Sequence, residues 1–231
     1  MKLATALQKV GYGLVLVSIF LIPLFWLPLT SEFYEFNKNA LLIFSSLTLL
    51  VLWAVTSVVD RQVRVVRSPL SLPLLALVVV WIASAILRSP NRIEAFLQPS
   101  QAGTWLALGL FYLTSLNFIR TKKEVDGIVY ALIGSLSVLS LVSLAWSSNV
   151  ITKIIPALPR YLSSELWNPS GSLLTAALGL ASSFPLIVWL QVKQKSRQLV
   201  SALLAFSLLI IGVGAAATVY RLINPLTPAG R

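Results

Sequence analysis

Residues 39–59 read NALLIFSSLTLLVLWAVTSVV, a run without a single charged side chain. A bilayer's hydrocarbon core of about 30 Å needs roughly 20 helical residues at 1.5 Å each, so this stretch is long enough to span it. It lacks the helical alternation of polar and apolar faces that a helix on a water-soluble core would carry. Working outward, six further charge-free runs of similar length occur at Val10–Leu29, Pro69–Leu87, Ala102–Ile119, Gly127–Trp146, Ser172–Gln191 and Leu199–Val219. The composition agrees, with 57% hydrophobic residues and a mean hydropathy of +0.87, outside the range of soluble globular chains. The expected fold is all-α: a polytopic transmembrane bundle of about seven spans, forming one domain over residues 1–231.

Lys2 and Lys9 precede the first run in the manner of a secretory signal. Its length exceeds a signal's apolar region, and no small-residue cleavage site follows in Leu27-Pro28-Leu29-Thr30-Ser31-Glu32, so it reads as an uncleaved anchor. The chain has no cysteine, which removes disulfides, thiolate nucleophiles and thiolate-bound metals.

Charge sets the orientation. The net charge is +11, but the basic residues are dispersed as two or three per connection. They form no stripe of the kind that binds nucleic acid. One side of the membrane collects Lys2, Lys9, Arg61, Arg64, Arg67, Arg120, Lys122, Lys123, Lys193, Lys195 and Arg197, eleven in all. The other collects Lys38, Arg88, Arg92, Lys153, Arg160, Arg221 and Arg231, which is seven. The richer side stays in the cytoplasm, so the N-terminus is expected inside and the C-terminus outside.

Trp26, Trp81, Trp105, Trp146 and Trp167 then fall near the outer interface, and Trp53 and Trp189 toward the inner one. An aromatic belt accounts for them; sugar-stacking platforms in an outward crevice are the alternative. Small residues at Gly127, Ala131 and Gly134, at Ser172 and Ala176, at Gly179 and Ser183, and at Gly212 and Ala216 mark faces where helices approach closely. Pro23 and Pro28 interrupt the outer half of the first span and Pro185 the sixth.

The longest connection, Ser147 to Gly171, mixes Ile151, Ile154, Ile155, Leu158, Leu162 and Leu166 with Lys153, Arg160 and Glu165, a pattern suited to the headgroup region. It ends in Trp167-Asn168-Pro169-Ser170-Gly171-Ser172, read either as a turn with Ser172 capping the next helix or as a segment that turns Asn168 toward an outward site. The outer loops also hold Glu32, Glu35, Glu94 and Glu165 beside Arg88, Arg92 and Arg160. Guanidinium forks suit diphosphate oxygens; solvated loop charges are the plainer reading.

The residues present hold no histidine, which excludes a His-based general base, a Ser-His-Asp triad and an imidazole metal site within them. There is no Gly-rich phosphate cradle. A coupled transporter usually keeps an ionisable group at membrane depth, and these spans keep none. No lysine lies in the last span for a retinal Schiff base.

Three elements in order resemble the N-terminal half of the O-antigen ligase and polymerase superfamily. They are the proline-interrupted opening running from Phe20-Leu21-Ile22-Pro23 to Glu35-Phe36-Asn37-Lys38, the basic restart Arg64-Val65-Val66-Arg67-Ser68-Pro69-Leu70-Ser71-Leu72-Pro73, and Asn168-Pro169-Ser170-Gly171-Ser172 before the sixth span. The resemblance implies a multi-pass enzyme of the bacterial inner membrane. It would take a glycan from an undecaprenyl-diphosphate carrier at the outer surface and join it to an acceptor hydroxyl, with no metal or cofactor. In that family the essential histidine and arginines lie mainly in a large outer loop after the middle spans. This chain emerges after Val219 and stops at Pro228-Ala229-Gly230-Arg231, so the expectation is an N-terminal part that is inactive as a transferase alone. Arg88, Arg92 and Arg160 are then the expected substrate-binding residues, with Asn168 a polar neighbour and Arg221 leading toward the family's catalytic loop. The expected partners are membrane lipid, the carrier-linked glycan, and a C-terminal half or a partner membrane subunit. A complete, non-catalytic scaffold or assembly protein is the competing class, and a transporter comes third.

Overall fold

The computed structural model describes residues 2–27, 34–63, 65–66, 68–147, 167–193, 210–214, 216 and 219–220. Among them the regular elements are all helices and none is a strand. In chain order they are α1 (Lys2–Leu21), α2 (Glu35–Asp60), α3 (Ser71–Arg88), α4 (Arg92–Leu97), α5 (Ala102–Phe118), α6 (Lys122–Ser147) and α7 (Leu173–Lys193). Five segments are long and apolar enough to cross a membrane: Leu3–Leu21, Glu35–Asp60, Ser71–Arg88, Lys122–Trp146 and Leu174–Lys193. The fourth expected span corresponds to α5, whose 17 residues rise about 26 Å. Most of the seventh lies outside the described residues; its described positions are helical.

The first span differs from its expected bounds. The helix occupies Lys2–Leu21 rather than Val10–Leu29, and a turn follows at residues 22–24. Pro23 lacks an amide hydrogen and disfavours the helical conformation at Ile22, so it stops the helix where a kink was expected. At the other end, Lys2 to Lys9 are mostly good helix formers and continue the helix beyond the apolar run.

The chain falls into two compact units, Met1–Ile22 with Leu27–Ile128, and Pro23–Trp26 with Val129–Arg231. In the first, α5 is central and touches α1, α2, α3 and α4. Val15, Leu49 and Phe118 form its buried core, packed by Tyr12, Leu14, Ile19, Leu52, Trp53, Phe111 and Ile128. Glycines set the closest approaches. A Cβ at Gly11 would overlap the Phe118 ring, and one at Gly109 would lie 2.9 Å from Val78 Cγ2, so α1 and α3 meet α5 only because both side chains are absent.

The polarity of α2 is inside out. Asn37, Asn39, Ser45, Ser46 and Thr56 are buried, whereas Phe44, Leu47, Val51, Val55 and Val58 are exposed. Water would penalise such an outward apolar stripe, and hydrocarbon would not. The hydroxyls are consistent with a dry setting: Ser46 Oγ lies 2.6 Å from Leu42 O and 2.9 Å from Ala107 O. Even the exposed Thr48 donates to Phe44 O at 2.7 Å, which hides a polar hydrogen within the helix. α3 carries the same outward character in Leu72, Val79, Val80 and Leu87.

Hydrogen bonds define two ends of this unit. At one, Gln8 Nε2 donates to Asn117 O (3.2 Å), Val66 N to Asn117 Oδ1 (3.2 Å) and Tyr12 Oη to Glu124 O (3.0 Å). At the other, Thr104 Oγ1 donates to Asn39 Oδ1 (2.9 Å) and Asn37 Nδ2 to Leu27 O (2.9 Å). The first end gathers Lys9, Arg61, Arg120, Lys122 and Lys123, and the second Lys38, Arg88 and Arg92.

In the second unit, Ile133, Leu136 and Leu139 of α6 pack with Leu180, Ile187 and Leu190 of α7 and with Ile211. Ser140 Oγ donates to Ile210 O at 2.7 Å, and a Cβ at Gly214 would collide with that serine. α7 passes through Pro185 without ending. In the preceding turn, Ser182 and Ser183 donate to the carbonyls of Gly179 and Leu180 at 2.7 and 2.6 Å.

Candidate functional site

Trp81 and Arg88 are two helical turns apart on α3, a spacing that sets both on one face. With Ser84, Ala85 and Ser89 they line a pocket of about 170 Å³, closed by Ala95 of α4 and Gln101 before α5. The Trp105 indole of α5 stacks on Trp81, with centroids 5.7 Å apart and planes 16° apart. The local sequence explains the closure. Ser89 Oγ donates to Asn91 O at 3.0 Å, and Asn91 Oδ1 accepts from Glu94 N at 3.3 Å, which starts α4 directly after the turn. Gly103 leaves room for the Phe96 carbonyl, where a Cβ would collide, so α4 lies tight on α5.

Chemically the pocket joins a guanidinium at a helix C-terminus, where positive charge is favoured, to hydroxyl and amide groups and an aromatic face. Guanidinium forks bind phosphate oxygens, and the Trp81 ring adds an aromatic face to the wall.

The other sequence candidates are placed differently. Arg92 opens α4 and is exposed, outside the pocket lining. Arg160 and Arg221 lie outside the described residues. Asn168 belongs to the second unit and is 2% exposed. Its Nδ2 donates to Ser143 Oγ at 2.7 Å, and its Oδ1 accepts from Ser170 N at 2.9 Å and Ser170 Oγ at 2.7 Å. Gly171, at φ 90°, closes this turn onto Asn168 O. Ser172 Oγ accepts from Thr175 N at 3.0 Å and caps α7. The turn-and-cap reading therefore describes this segment. Beside it Trp167, 6% exposed, meets Trp26 edge-on at 5.1 Å and Trp146 at 4.2 Å.

A second polar pocket, about 330 Å³, lies at the Lys/Arg-rich end of the first unit, where the sequence indicates only topology signals. Gln8, Thr56, Ser57, Asp60, Gln62, Asn117 and Arg120 supply its polar lining. A legible sequence signal lies at its edge: Thr121-Lys122-Lys123-Glu124 forms a capping box. Glu124 N donates to Thr121 Oγ1 at 3.2 Å, and Glu124 Oε2 accepts from Thr121 N at 2.8 Å and Arg120 N at 2.7 Å.

Comparison of the chain with protein-family models, with curated proteins and with solved structures gives no match.

Proposed function

We propose that this chain is the membrane-embedded N-terminal part of a glycan transferase similar to O-antigen ligases and polymerases. It holds an undecaprenyl-diphosphate-linked donor at the outer face of the bacterial inner membrane and is inactive alone. The observation that carries this reading is the pocket in which Arg88 shares a wall with Trp81, itself stacked on Trp105. In this reading the guanidinium receives diphosphate oxygens and the Trp81 indole receives the first sugar. Hydrogen bonds to charged groups contribute about 1.5–3 kcal/mol, and 1.4 kcal/mol is tenfold in affinity.

In nanodiscs, binding of an undecaprenyl-diphosphate-linked oligosaccharide is therefore expected to weaken about tenfold or more in Arg88→Gln. Arg92→Gln, outside the pocket, should change it by less than about twofold. Equal affinity in the wild type and Arg88→Gln would remove the donor-holding role. The scaffold reading would then stand on the outward apolar faces of α2 and α3. Reading the DNA past the codon for Arg231 supplies a separate check, since the transferase reading requires an open frame leading into a loop that bears histidine and arginine.

A further inference from the structure

We propose that the Lys/Arg-rich end of the first unit holds one phosphatidylethanolamine molecule, its headgroup in the polar pocket and an acyl chain in an adjoining apolar cleft. The cleft, about 640 Å³, is walled by Val15 and Ile19 of α1, Leu74 and Leu77 of α3, and Leu108 and Phe111 of α5, among others. Ile119 lines both this cleft and the polar pocket, so the two adjoin. Both volumes fall in the range of about 300–1,000 Å³ typical of ligand sites.

Charge selects the headgroup. Among the described residues, the charged groups lining the polar pocket are one carboxylate, Asp60, and one guanidinium, Arg120, both exposed. A phosphate with a tethered ammonium complements that pair, whereas a headgroup with phosphate alone leaves Asp60 opposing it. Glu124 is already engaged, since its carboxylate accepts from the Arg120 and Thr121 backbone amides.

The cleft runs along α5 from the polar pocket. Tyr112 and Ser115 belong to its wall, with their hydroxyl oxygens buried. Ser115 is 6% exposed. On α5 these positions lie one and two turns, roughly 6 and 10 Å, above Ile119. The ester carbonyls of a diacyl lipid sit at that depth when its phosphate is at Arg120.

The proposal is independent of the donor reading. The test uses the full chain, delipidated in detergent and titrated with phosphatidylethanolamine, bound lipid being counted by native mass spectrometry. One lipid per chain is expected, held at least tenfold more tightly than phosphatidylglycerol. Arg120→Gln should weaken retention about tenfold, and Asp60→Asn should abolish the preference between the two lipids. Ser115→Leu fills the cleft and should also weaken retention. Leu108→Trp does the same from an exposed position if the serine variant fails to fold. Arg88→Gln, at the opposite end, should leave retention unchanged while it lowers donor binding. The proposal is overturned if no lipid is retained, if folded cleft and Arg120 variants hold it as well as wild type, or if phosphatidylglycerol or undecaprenyl phosphate displaces it at equal concentration.

Discussion

Arg61 occupies the left-handed region at φ 52°, ψ 29°, where a side chain is disfavoured. It does so because α2 ends in a Schellman turn: Gln62 N donates to Ser57 O at 3.1 Å and Arg61 N to Val58 O at 3.2 Å. Glycine would adopt the same geometry without the Cβ penalty. Arg61→Gly is therefore expected to stabilise the protein by about 0.5–1 kcal/mol in detergent denaturation; a loss of stability would mean the side chain makes contacts worth more than the strain. At this scale the sequence is legible wherever a residue acts on its own backbone. Gly171 reads as turn punctuation and Ser172 as a cap because each bonds within four residues of itself, and the Thr121–Glu124 box found in the structure is just as local. One partner of Asn168, Ser143, is twenty-five positions away, and local pattern does not encode it.

At the level of helices, Gly11 and Gly13 make a natural pair. Both lie inside α1, but a Cβ at Gly11 runs into Phe118, whereas one at Gly13 meets nothing within 4 Å. Overpacking costs about 1–3 kcal/mol, and alanine improves helix propensity over glycine by about 1 kcal/mol. Gly11→Ala is thus expected to lower the melting temperature and Gly13→Ala to hold or raise it. Equal effects would mean that α1 does not seat on α5 as described. The apolar runs revealed that these helices exist, since bilayer thickness fixes their length, but not where each stops. Pro23 ended α1 eight residues before the expected bound at Leu29, and Lys2–Lys9 extended it backward. The six-residue α4 was not foreseen, being too short to show a period. The Trp81–Arg88 half of the pocket is readable as two turns of one helix. Its Trp105 partner arrives through the tertiary contact of α3 with α5.

Across the first unit, the loops that alternate in sequence also alternate in space. Gln62 and Val66 share an end with Asn117, and Asn39 shares the other with Thr104. Because the chain has no cysteine, single cysteines report sidedness without background. In intact cells, Arg92→Cys is expected to react with a membrane-impermeant maleimide, and Gln62→Cys only after permeabilisation. Reaction of both from the same side would end the bilayer-spanning account, and reversal would invert the orientation read from lysine and arginine. Charge counting yields an expected orientation because every loop casts a vote. It says nothing of which loops converge, and so the pocket bearing Asp60 and Arg120 was seen only as part of a basic border.

The indole contacts give the two units separate optical identities. Trp81 and Trp105 lie nearly parallel in the first, whereas Trp146 and Trp26 meet Trp167 at 40° and 79° in the second. Coupled chromophores at different mutual angles yield distinct far-ultraviolet exciton bands. Loss of each unit's packing thus carries its own spectral trace, without a dye or an attached reporter.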